Sequence, residues 1–249
     1  MRVHLKIDTG MGRVGFRPEH ARASVRKILA LPNLRVEGIY SHFATADSSD
    51  LTYARQQLAA FKQVLAGLAE DGIEIPLVHL ANSGGIVNLP ESHFDLVRAG
   101  IIIYGLAPSE ECRPYCPPLH PAFALKTRVV QVKRVPAGTG ISYGLTYHTK
   151  HETGIATLPI GYADGWRRGL SGKARVLING ESFPVVGTIC MDQCMVEVGD
   201  APVKVGDEVV LIGKQGNAEI TVDEVAAHLG TINYEVVCQI SSRVPRIYV

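Results

Sequence analysis

The sequence has no long apolar run and almost no net charge, and each absence excludes a class of protein. No run approaches the roughly 18 apolar residues that a transmembrane helix needs. The segment Met1–Gly10 also lacks the apolar core of a secretion signal. A formal net charge of +1 over 249 residues gives no electrostatic reason to expect nucleic acid or an anionic membrane as a partner. The sequence therefore predicts a cytoplasmic globular protein.

Cysteine is also scarce, with five residues in the chain. Four of them form two C-x-x-x-C spacings, without the C-x-x-C pairs and further partners that are typical of structural zinc sites. We therefore expect no metal site and reduced, mostly buried thiols. The five are Cys112, Cys116, Cys190, Cys194 and Cys238.

Residues 1–111 alternate strand-like and helix-like segments. Pro18–Leu31 and Leu51–Leu68 carry apolar residues at helical spacing, and Ser48, Ser49 and Asp50 are candidate caps of the second helix. Strand-like runs surround these helices at Val3–Asp8, Val36–Phe43, Pro76–Asn82 and Phe94–Gly105. Strands separated by helices predict βαβ units and a parallel sheet, here of about four βα units.

The proline-rich segment Cys112–Pro121 predicts a linker, and the pattern changes beyond it. Residues 122–249 consist of short strand-like runs and turns, among them Asn179-Gly180, a dipeptide typical of two-residue hairpins. One helix interrupts the strands, with Thr221 and Glu224 at capping-box spacing and Gly230 past its end. This half predicts a mainly antiparallel β domain.

A glycine motif near the N-terminus raises the possibility of a dinucleotide site. Gly10-Met-Gly12-Arg-Val-Gly15 matches G-x-G-x-x-G, the pattern that binds a pyrophosphate between a strand and a helix. In that fold the strand runs directly into the first glycine and the helix begins within the motif. Here Asp8 and Thr9 intervene and helix signals begin only at Pro18. The spacing therefore disfavours a dinucleotide, although the loop stands where α/β folds place their chemistry.

Nine segments, found in the same order from Val3 to Tyr248, point to one family. They are HLKIDTGMGRVGF, YSHFATAD, HLANSGG, VRAGIIIYGLAP, ISYGLTY, IGYADGW, ICMDQCMVEV, LIGKQG and INYEVVCQISSRVPRIY. Together they resemble alanine racemase, a pyridoxal-phosphate enzyme. The resemblance implies a (β/α)8 barrel followed by a β domain, in a head-to-tail homodimer. It also implies interconversion of L- and D-alanine by two-base proton transfer, a source of D-alanine for peptidoglycan.

The resemblance implies a set of residues that bind pyridoxal 5'-phosphate. Arg98 would face the pyridine nitrogen and, because a guanidinium keeps its proton, would leave that nitrogen largely unprotonated. Without the resemblance, the Ser83 segment is better explained as a helix cap and turn, and His42 is as readily a buried core histidine. The full set is His42, His79, Asn82, Ser83, Arg98, Gly100, Ile101 and Tyr234.

The resemblance also implies residues that act on the substrate. Tyr143 would be the base for L-alanine, and because an ordinary tyrosine titrates near pH 10, it would need cationic or hydrogen-bonding neighbours. Arg13 would reach the substrate carboxylate, supported by Lys6 in a carbamylated form that pairs with it. The remaining implied positions are Met191 and Asp192 near the carboxylate and Tyr162 at the entrance.

One family feature is not found in the sequence. None of the nine lysines lies in a segment resembling the motif of the cofactor-bearing lysine. With about four strands, the first part would be an incomplete barrel that lacks its N-terminal half. Val3–Asp8 would then be an open edge, and Ile7 and Ile39 would face a cavity. These features predict little activity for the chain alone.

Two other functions and one other substrate stay open at this point. A noncatalytic module that dimerises or binds a ligand is compatible with the β domain. A dinucleotide-dependent oxidoreductase is compatible with the glycine motif alone. Serine is an alternative substrate, because pocket size decides which side chain is accepted.

Overall fold

The computed structural model describes residues 1–249 and divides them into two units, Met1–His120 and Pro121–Val249. The first unit alternates three parallel strands, in the spatial order β1-β2-β3, with helices. Its elements are β1 (Arg2–Lys6), α1 (Pro18–Leu29), β2 (Arg35–Tyr40), α2 (Thr52–Glu70), β3 (Leu77–His79) and α3 (Ser83–Asn88). The parallel βαβ order expected from the sequence is confirmed.

Both long helices form where the apolar spacing predicts them. Pro18 occupies the first turn of α1, where its missing N–H has no helical partner to lose, and Ala21 and Val25 are buried. Leu29, which the spacing places on the same face, is 45% exposed because α1 ends there. At the start of α2, the Asp50 side chain accepts a hydrogen bond from the Thr52 N–H at 2.9 Å.

The core of the first unit lies between one face of the sheet and the two long helices. Leu5 pairs with Ile39, and Ile39 with Val78, so this face presents an apolar row. Ile7 and Ile39 are fully buried in the same cluster as Phe61 of α2. The prediction that these two isoleucines face a cavity is therefore wrong, because they point toward the helices.

The fourth predicted strand, Phe94–Gly105, does not form. Its pairing with β3 is limited to an isolated bridge between His79 and Leu96 and one backbone hydrogen bond from the Asp95 N–H to the Val78 carbonyl, and Ile101–Tyr104 is a short 3₁₀ turn. Phe94 has φ of 49°, which interrupts an extended backbone, and the Asp95 carboxylate accepts the N–H of Val78 at 2.8 Å, where a strand would offer a carbonyl. The unit therefore has three strands, whereas a closed (β/α)8 barrel has eight.

The second unit is built on an antiparallel sheet of eight strands, as the sequence predicts in kind. The main path runs β13-β12-β9-β10-β11-β8-β5, with β4 paired to β12, and β6 and β7 form a separate hairpin. The strands are β4 (Leu125–Arg128), β5 (Gln131–Val135), β6 (Gly140–Ile141), β7 (Tyr147–His148), β8 (Thr153–Leu158), β9 (Arg175–Ile178), β10 (Glu181–Val186), β11 (Cys194–Gly199), β12 (Glu208–Gln215) and β13 (Ala218–Ile220).

Local turn and cap signals in this unit are confirmed. Asn179 and Gly180 both have positive φ and connect β9 to β10 directly, as a type I′ turn requires. Thr221 caps α4 (Val222–Leu229) by accepting the Glu224 N–H at 3.0 Å, and Gly230 ends it in the left-handed conformation. A second helix, α5 (Asn233–Gln239), was not expected, because it is short and has no side-chain cap.

Three smaller expectations concern the linker, the thiols and the membrane. The boundary between the units follows His120, near the end of the expected linker Cys112–Pro121, and Cys112 at its start is buried within the first unit. All five cysteines are free thiols, but only Cys112 and Cys194 are buried, so the expectation of mostly buried thiols is wrong. None of the helices has the length and apolar character needed to span a bilayer.

Candidate active site

The polar face of the first sheet carries a row of functional side chains. Lys6 pairs with Tyr40 and Tyr40 with His79 across the three strands, so the three side chains stand on the face opposite the apolar row. The Tyr40 and His79 rings stack with centroids 4.9 Å apart. The Lys6 ammonium nitrogen lies 5.8 Å from the Tyr40 centroid. The alternation of the strands thus collects this row from three distant segments.

A glycine allows a fourth side chain to join the row. His4 pairs with Gly38 on β2, and a Cβ at Gly38 would overlap the His4 ring. Since no side chain stands there, His4 reaches across β2, and its Nδ1 lies 2.8 Å from Nε2 of His79.

Arg98 is the centre of this site. One of its terminal nitrogens bonds to Nδ1 of His79. The other donates to the carbonyls of Ser41 at 2.7 Å and Leu80 at 3.0 Å, and to Nδ1 of His42 at 3.2 Å. The guanidinium carbon also lies 5.2 Å from the Tyr40 ring centroid. These partners fix both the position and the orientation of the guanidinium plane.

The hydrogen bonds define the protonation of the histidines. Burial, together with the charges of Arg98, Arg13 and Lys6, lowers the pKa of His42 to about 4. Burial and the charge of Arg98 likewise lower the pKa of His79 to about 4. Both rings are therefore neutral near pH 7, and because arginine only donates, each accepts at Nδ1 and carries its hydrogen on Nε2. It follows that His79 donates to His4.

Lys6, on β1, lies on the same face of the sheet and is the only buried lysine, with 8% of its surface exposed. Its ammonium donates to the Ile7 carbonyl at 2.8 Å. Burial lowers the pKa of Lys6, Asp8 opposes that shift, and Arg13 and Arg98 add to it. Lys6 is therefore influenced by two neighbouring cations, Arg13 and Arg98, with Asp8 as the opposing anion.

The glycine loop after β1 is organised around Asp8. The carboxylate of Asp8 accepts the N–H groups of Gly10 at 3.1 Å and Gly12 at 3.0 Å, and these donors hold its pKa low although burial alone would raise it. A pyrophosphate would need those N–H groups free and would meet the carboxylate. Gly15 has φ of 115°, and a Cβ there would lie 2.6 Å from Cγ of Lys6. The geometry thus disfavours a dinucleotide and explains the glycines by turn formation.

Asn82, Ser83 and Gly100 meet at the start of α3. The Asn82 side chain caps the helix by accepting the Gly85 N–H at 3.0 Å. The Ser83 hydroxyl oxygen accepts the Gly100 N–H at 2.9 Å, and Ser83 is buried. The expected free donor at Gly100 is therefore engaged by Ser83, and the Ser83 hydroxyl keeps its own hydrogen for a further acceptor.

In the second unit, the loop between β10 and β11 gathers three of the expected residues. Tyr162 donates its N–H to the Cys190 carbonyl at 3.1 Å, in a turn that follows β8. A Cβ at Gly161 would overlap this part of the loop, so glycine permits the contact. Met191 lies in the same loop, and Thr188 of that loop donates to the Tyr143 carbonyl at 2.9 Å.

The remaining predicted positions of the second unit are also placed. Asp192 follows Met191 in the loop and is exposed. Tyr234 lies in the first turn of α5 and is half-buried. A cavity of about 470 Å³ beside the loop is lined by Tyr143, Cys190 and Gln193 among other residues.

Comparisons with known proteins decide the family. Residues 1–108 match the family model described as alanine racemase, N-terminal domain, and residues 122–248 match alanine racemase, C-terminal domain. The chain belongs to the alanine racemase family.

Individual members of the alanine racemase family are similar over the whole chain. The alanine racemase of Desulfovibrio desulfuricans is 52% identical over 250 residues, which cover 100% of this chain and 66% of the relative. That of Desulforamulus reducens is 56% identical, covering 99% of this chain and 66% of the relative. The chain thus spans just under two thirds of the length of these relatives.

Solved structures give the same result. The Bacillus anthracis alanine racemase with bound L-Ala-P has a TM-score of 0.95 at 45% identity, covering 100% of this chain and 64% of that one. The Bartonella henselae alanine racemase with covalently bound pyridoxal phosphate has a TM-score of 0.86 at 33% identity, covering 100% and 66%.

The family match corrects one expectation from the sequence. Because residues 1–108 match the N-terminal domain, the prediction that the chain lacks the N-terminal half-barrel is not borne out. The predicted inactivity of the chain and the alternative of a noncatalytic module lose their support for the same reason.

Three residues of the site were not expected from the sequence. His4 and Tyr40 alternate with the core positions of β1 and β2, so strand periodicity could have shown that they share a face with Lys6 and His79. Thr188 carried no such signal. It meets Tyr143 from 45 positions away, through an irregular loop.

Proposed function

We propose that this protein is an alanine racemase that interconverts L- and D-alanine with pyridoxal 5'-phosphate. The observation that carries the proposal is the polar face of the first unit, where Arg98 is held by His79 and the Ser41 carbonyl and buried Lys6 is influenced by the charges of Arg13, Arg98 and a single carboxylate, that of Asp8. Such an excess of positive charge suits an anion, and the cofactor phosphate and the substrate carboxylate are both anions. When bound, the cofactor supplies the electron sink for the electrons released when the α-proton leaves.

The residues present fit the pyridine side of the cofactor. Arg98 is held by two carbonyls and two neutral histidines, so none of its hydrogen-bond partners is an acid that could protonate a ring nitrogen. A guanidinium donates but keeps its proton at working pH, which would leave that nitrogen unprotonated. His79 would orient Arg98, and His42 would stand beside it.

The start of α3 fits the phosphate. The Ser83 hydroxyl oxygen accepts from Gly100, which leaves its own hydrogen available for another acceptor. We assign Ser83 the direct contact, with Asn82 shaping the turn and Gly100 orienting the serine. Ile101 would contribute its backbone N–H, and Tyr234 its hydroxyl.

Lys6 fits the expected carbamate. Carbamylation consumes a neutral amine and carbon dioxide and releases a proton, and the lowered pKa of Lys6 enlarges the neutral fraction. The product is an anion that would pair with Arg13 and orient it toward the substrate carboxylate. A mass increase on the peptide that contains Lys6, lost on acid treatment, would demonstrate it.

Tyr143 would remove the α-proton of L-alanine and return it when D-alanine is the substrate. Its phenol oxygen is the reacting atom, and the side chain is 72% exposed on its loop. Met191 and Asp192 would approach the substrate carboxylate. Tyr162, at 41% exposure, would limit the size of the substrate side chain, which favours alanine over serine.

The proposal is tested by supplying the purified protein with pyridoxal phosphate and L-alanine and measuring D-alanine by chiral chromatography. The unaltered protein should form D-alanine. Tyr143→Phe should bind the cofactor, as followed by its visible absorbance, yet form little D-alanine. Tyr115→Phe is the control, because Tyr115 is 69% exposed in a surface turn of the first unit. Failure of the unaltered protein to racemise alanine would overturn the proposal.

A head-to-tail homodimer with active sites shared between subunits is the proposed assembly. Arg98→Ala disables the first unit and Tyr143→Phe the second, so each variant alone should be inactive. If the sites are shared, an equal mixture that re-forms dimers should regain about one quarter of the activity, because half the dimers are mixed and each has one intact site. No recovery in a mixture that exchanges subunits would contradict sharing.

A further inference from the structure

The loop that carries Tyr143 has an unusual backbone. Ser142 has φ of 65°, Gly144 of 74° and Leu145 of 47°, so Tyr143 lies between left-handed residues. Residues with a Cβ avoid this region unless surrounding contacts impose it, and such positions concentrate where function requires a fixed geometry. The contacts that impose it here are therefore of interest.

Thr188 supplies those contacts in two directions. Its hydroxyl donates to the Tyr143 carbonyl at 2.9 Å, and its own carbonyl accepts the Ser142 hydroxyl at 2.6 Å. The two bonds join consecutive residues of one loop to a single residue of another. Thr188 is 6% exposed, so water does not readily replace either bond.

Close backbone approach keeps the two loops together. Gly187 has φ of 68°, and a Cβ there would lie 2.6 Å from the Ile141 carbonyl and 3.0 Å from Cβ of Ser142. Glycine thus serves both the conformation and the approach of the loops. The Tyr143 ring has little packing of its own, so its direction depends on the backbone that these bonds fix.

We propose that Thr188 and Ser142 form a clamp that positions Tyr143 for proton removal, with Thr188 as the positioning residue. The inference rests on the proposed racemase function and extends it. Thr188 does not touch the substrate; it acts through the backbone of Tyr143. The clamp would hold the phenol at a set direction, so that no ordering of the loop is needed during the reaction.

The first test measures the loop itself by hydrogen exchange. Thr188→Val removes the hydroxyl at nearly constant volume and should speed exchange of the Leu145 amide, which bonds to Ser142, about fivefold. Thr188→Ser keeps the hydroxyl and should restore slow exchange. Unchanged exchange in folded Thr188→Val would overturn the clamp.

The second test separates positioning from general loss of structure. Because L- and D-alanine have equal free energies in water, kcat/KM must fall equally in both directions. An effect that falls mainly on the proton transfer by Tyr143 must instead appear as a difference between the primary isotope effects for the two enantiomers. Thr188→Val should lower kcat/KM about tenfold, the range of a misplaced catalytic group, and raise the isotope effect for α-deuterated L-alanine relative to that for D-alanine.

Thr149→Val is the matched control. Thr149 is also buried, and its hydroxyl donates to the Pro136 carbonyl at 2.7 Å beside the same hairpin, without touching Tyr143. It should lower stability to a similar degree and leave the ratio of isotope effects unchanged. An equal change of the ratio in both variants would refute positioning by Thr188. If the unaltered protein were inactive, the racemase proposal would be wrong. The hydrogen-exchange measurement would then be the only test of whether Thr188 holds the loop.

Discussion

The two units present functional residues in different ways. In the first unit, Lys6, Tyr40 and His79 stand on adjacent strands in register, and Arg98 bonds to the loops that follow those strands. In the second unit, Tyr143 and Met191 lie on irregular loops, and Tyr143 is mostly exposed. Strand register sets the positions in the first unit, whereas hydrogen bonds between loops set them in the second.

This difference indicates how a substitution should affect each unit. On strands, neighbouring side chains are fixed by the whole sheet, so a change disturbs buried polar groups together. On loops, a few bonds hold a strained backbone, so a change affects direction more than stability. The predictions below would sharpen or break this contrast, starting with the largest effect.

Removing Arg98 should have the largest effect on the first unit. In Arg98→Ala, the carbonyls of Ser41 and Leu80 lose a charged donor, which should lower the free energy of unfolding by about 3 kcal/mol. Loss of the charge should also raise the pKa values of His42 and His79 from about 4, measurable by NMR titration. Arg35→Ala, with 78% of that side chain exposed, should change stability by less than about 0.5 kcal/mol. If the pKa values of His42 and His79 did not change in Arg98→Ala, the proposed influence of Arg98 on these histidines would be contradicted.

Filling the space beneath His4 should have the next largest effect on stability. The added Cβ in Gly38→Ala overlaps the His4 ring and should cost about 2 kcal/mol by chemical denaturation, with loss of the bond from His79. Gly67→Ala in α2 is the control, because its Cβ meets only the flexible Arg22 side chain and alanine favours helix. If His4→Ala does not relieve the cost of Gly38→Ala, the overlap is not its cause.

Mild acid should destabilise the first unit through its histidines. The folded pKa values of His42 and His79, about 4, lie below the ordinary value of 6.5, so the unfolded chain binds more protons between these limits. Stability from these two groups is therefore complete above pH 6.5 and is progressively lost as pH falls toward 4. Thermal unfolding between pH 7 and pH 5 measures this before most carboxylates titrate. A pH-independent Tm in that window would show that the rings are not held neutral.

A charged pair in the second unit should give the smallest effect. Arg175 donates to both carboxylate oxygens of Glu224 at 2.7 Å, which ties α4 to β9. Glu224→Gln should cost about 1 kcal/mol, because the pair is bidentate and half-buried. Glu152→Gln disrupts an exposed pair with Arg134 and should cost less than about 0.5 kcal/mol. Equal costs in urea unfolding would remove the distinction between the two pairs.

Much of the first unit followed from local patterns. The apolar spacing of α1 and α2 predicted both helices, and the family motifs indicated Arg98, His79 and Ser83 before any contact was known. The strand predicted at Phe94–Gly105 failed, because apolar composition favours a strand while a left-handed Phe94 and an inserted Asp95 side chain prevent the ladder. Local preference was overruled there by the segment's own contacts.

The sequence by itself determined the alternation of strand faces, the Asn179-Gly180 hairpin and the cap at Thr221, since these depend on residues close in the chain. Only the tertiary structure decided that His4 crosses Gly38 to reach His79, or that Thr188 holds the backbone of Tyr143. Those contacts join positions 75 and 45 residues apart. Their geometry depends on strand register and loop path, which are set by the packing of the whole unit and leave no local pattern to read.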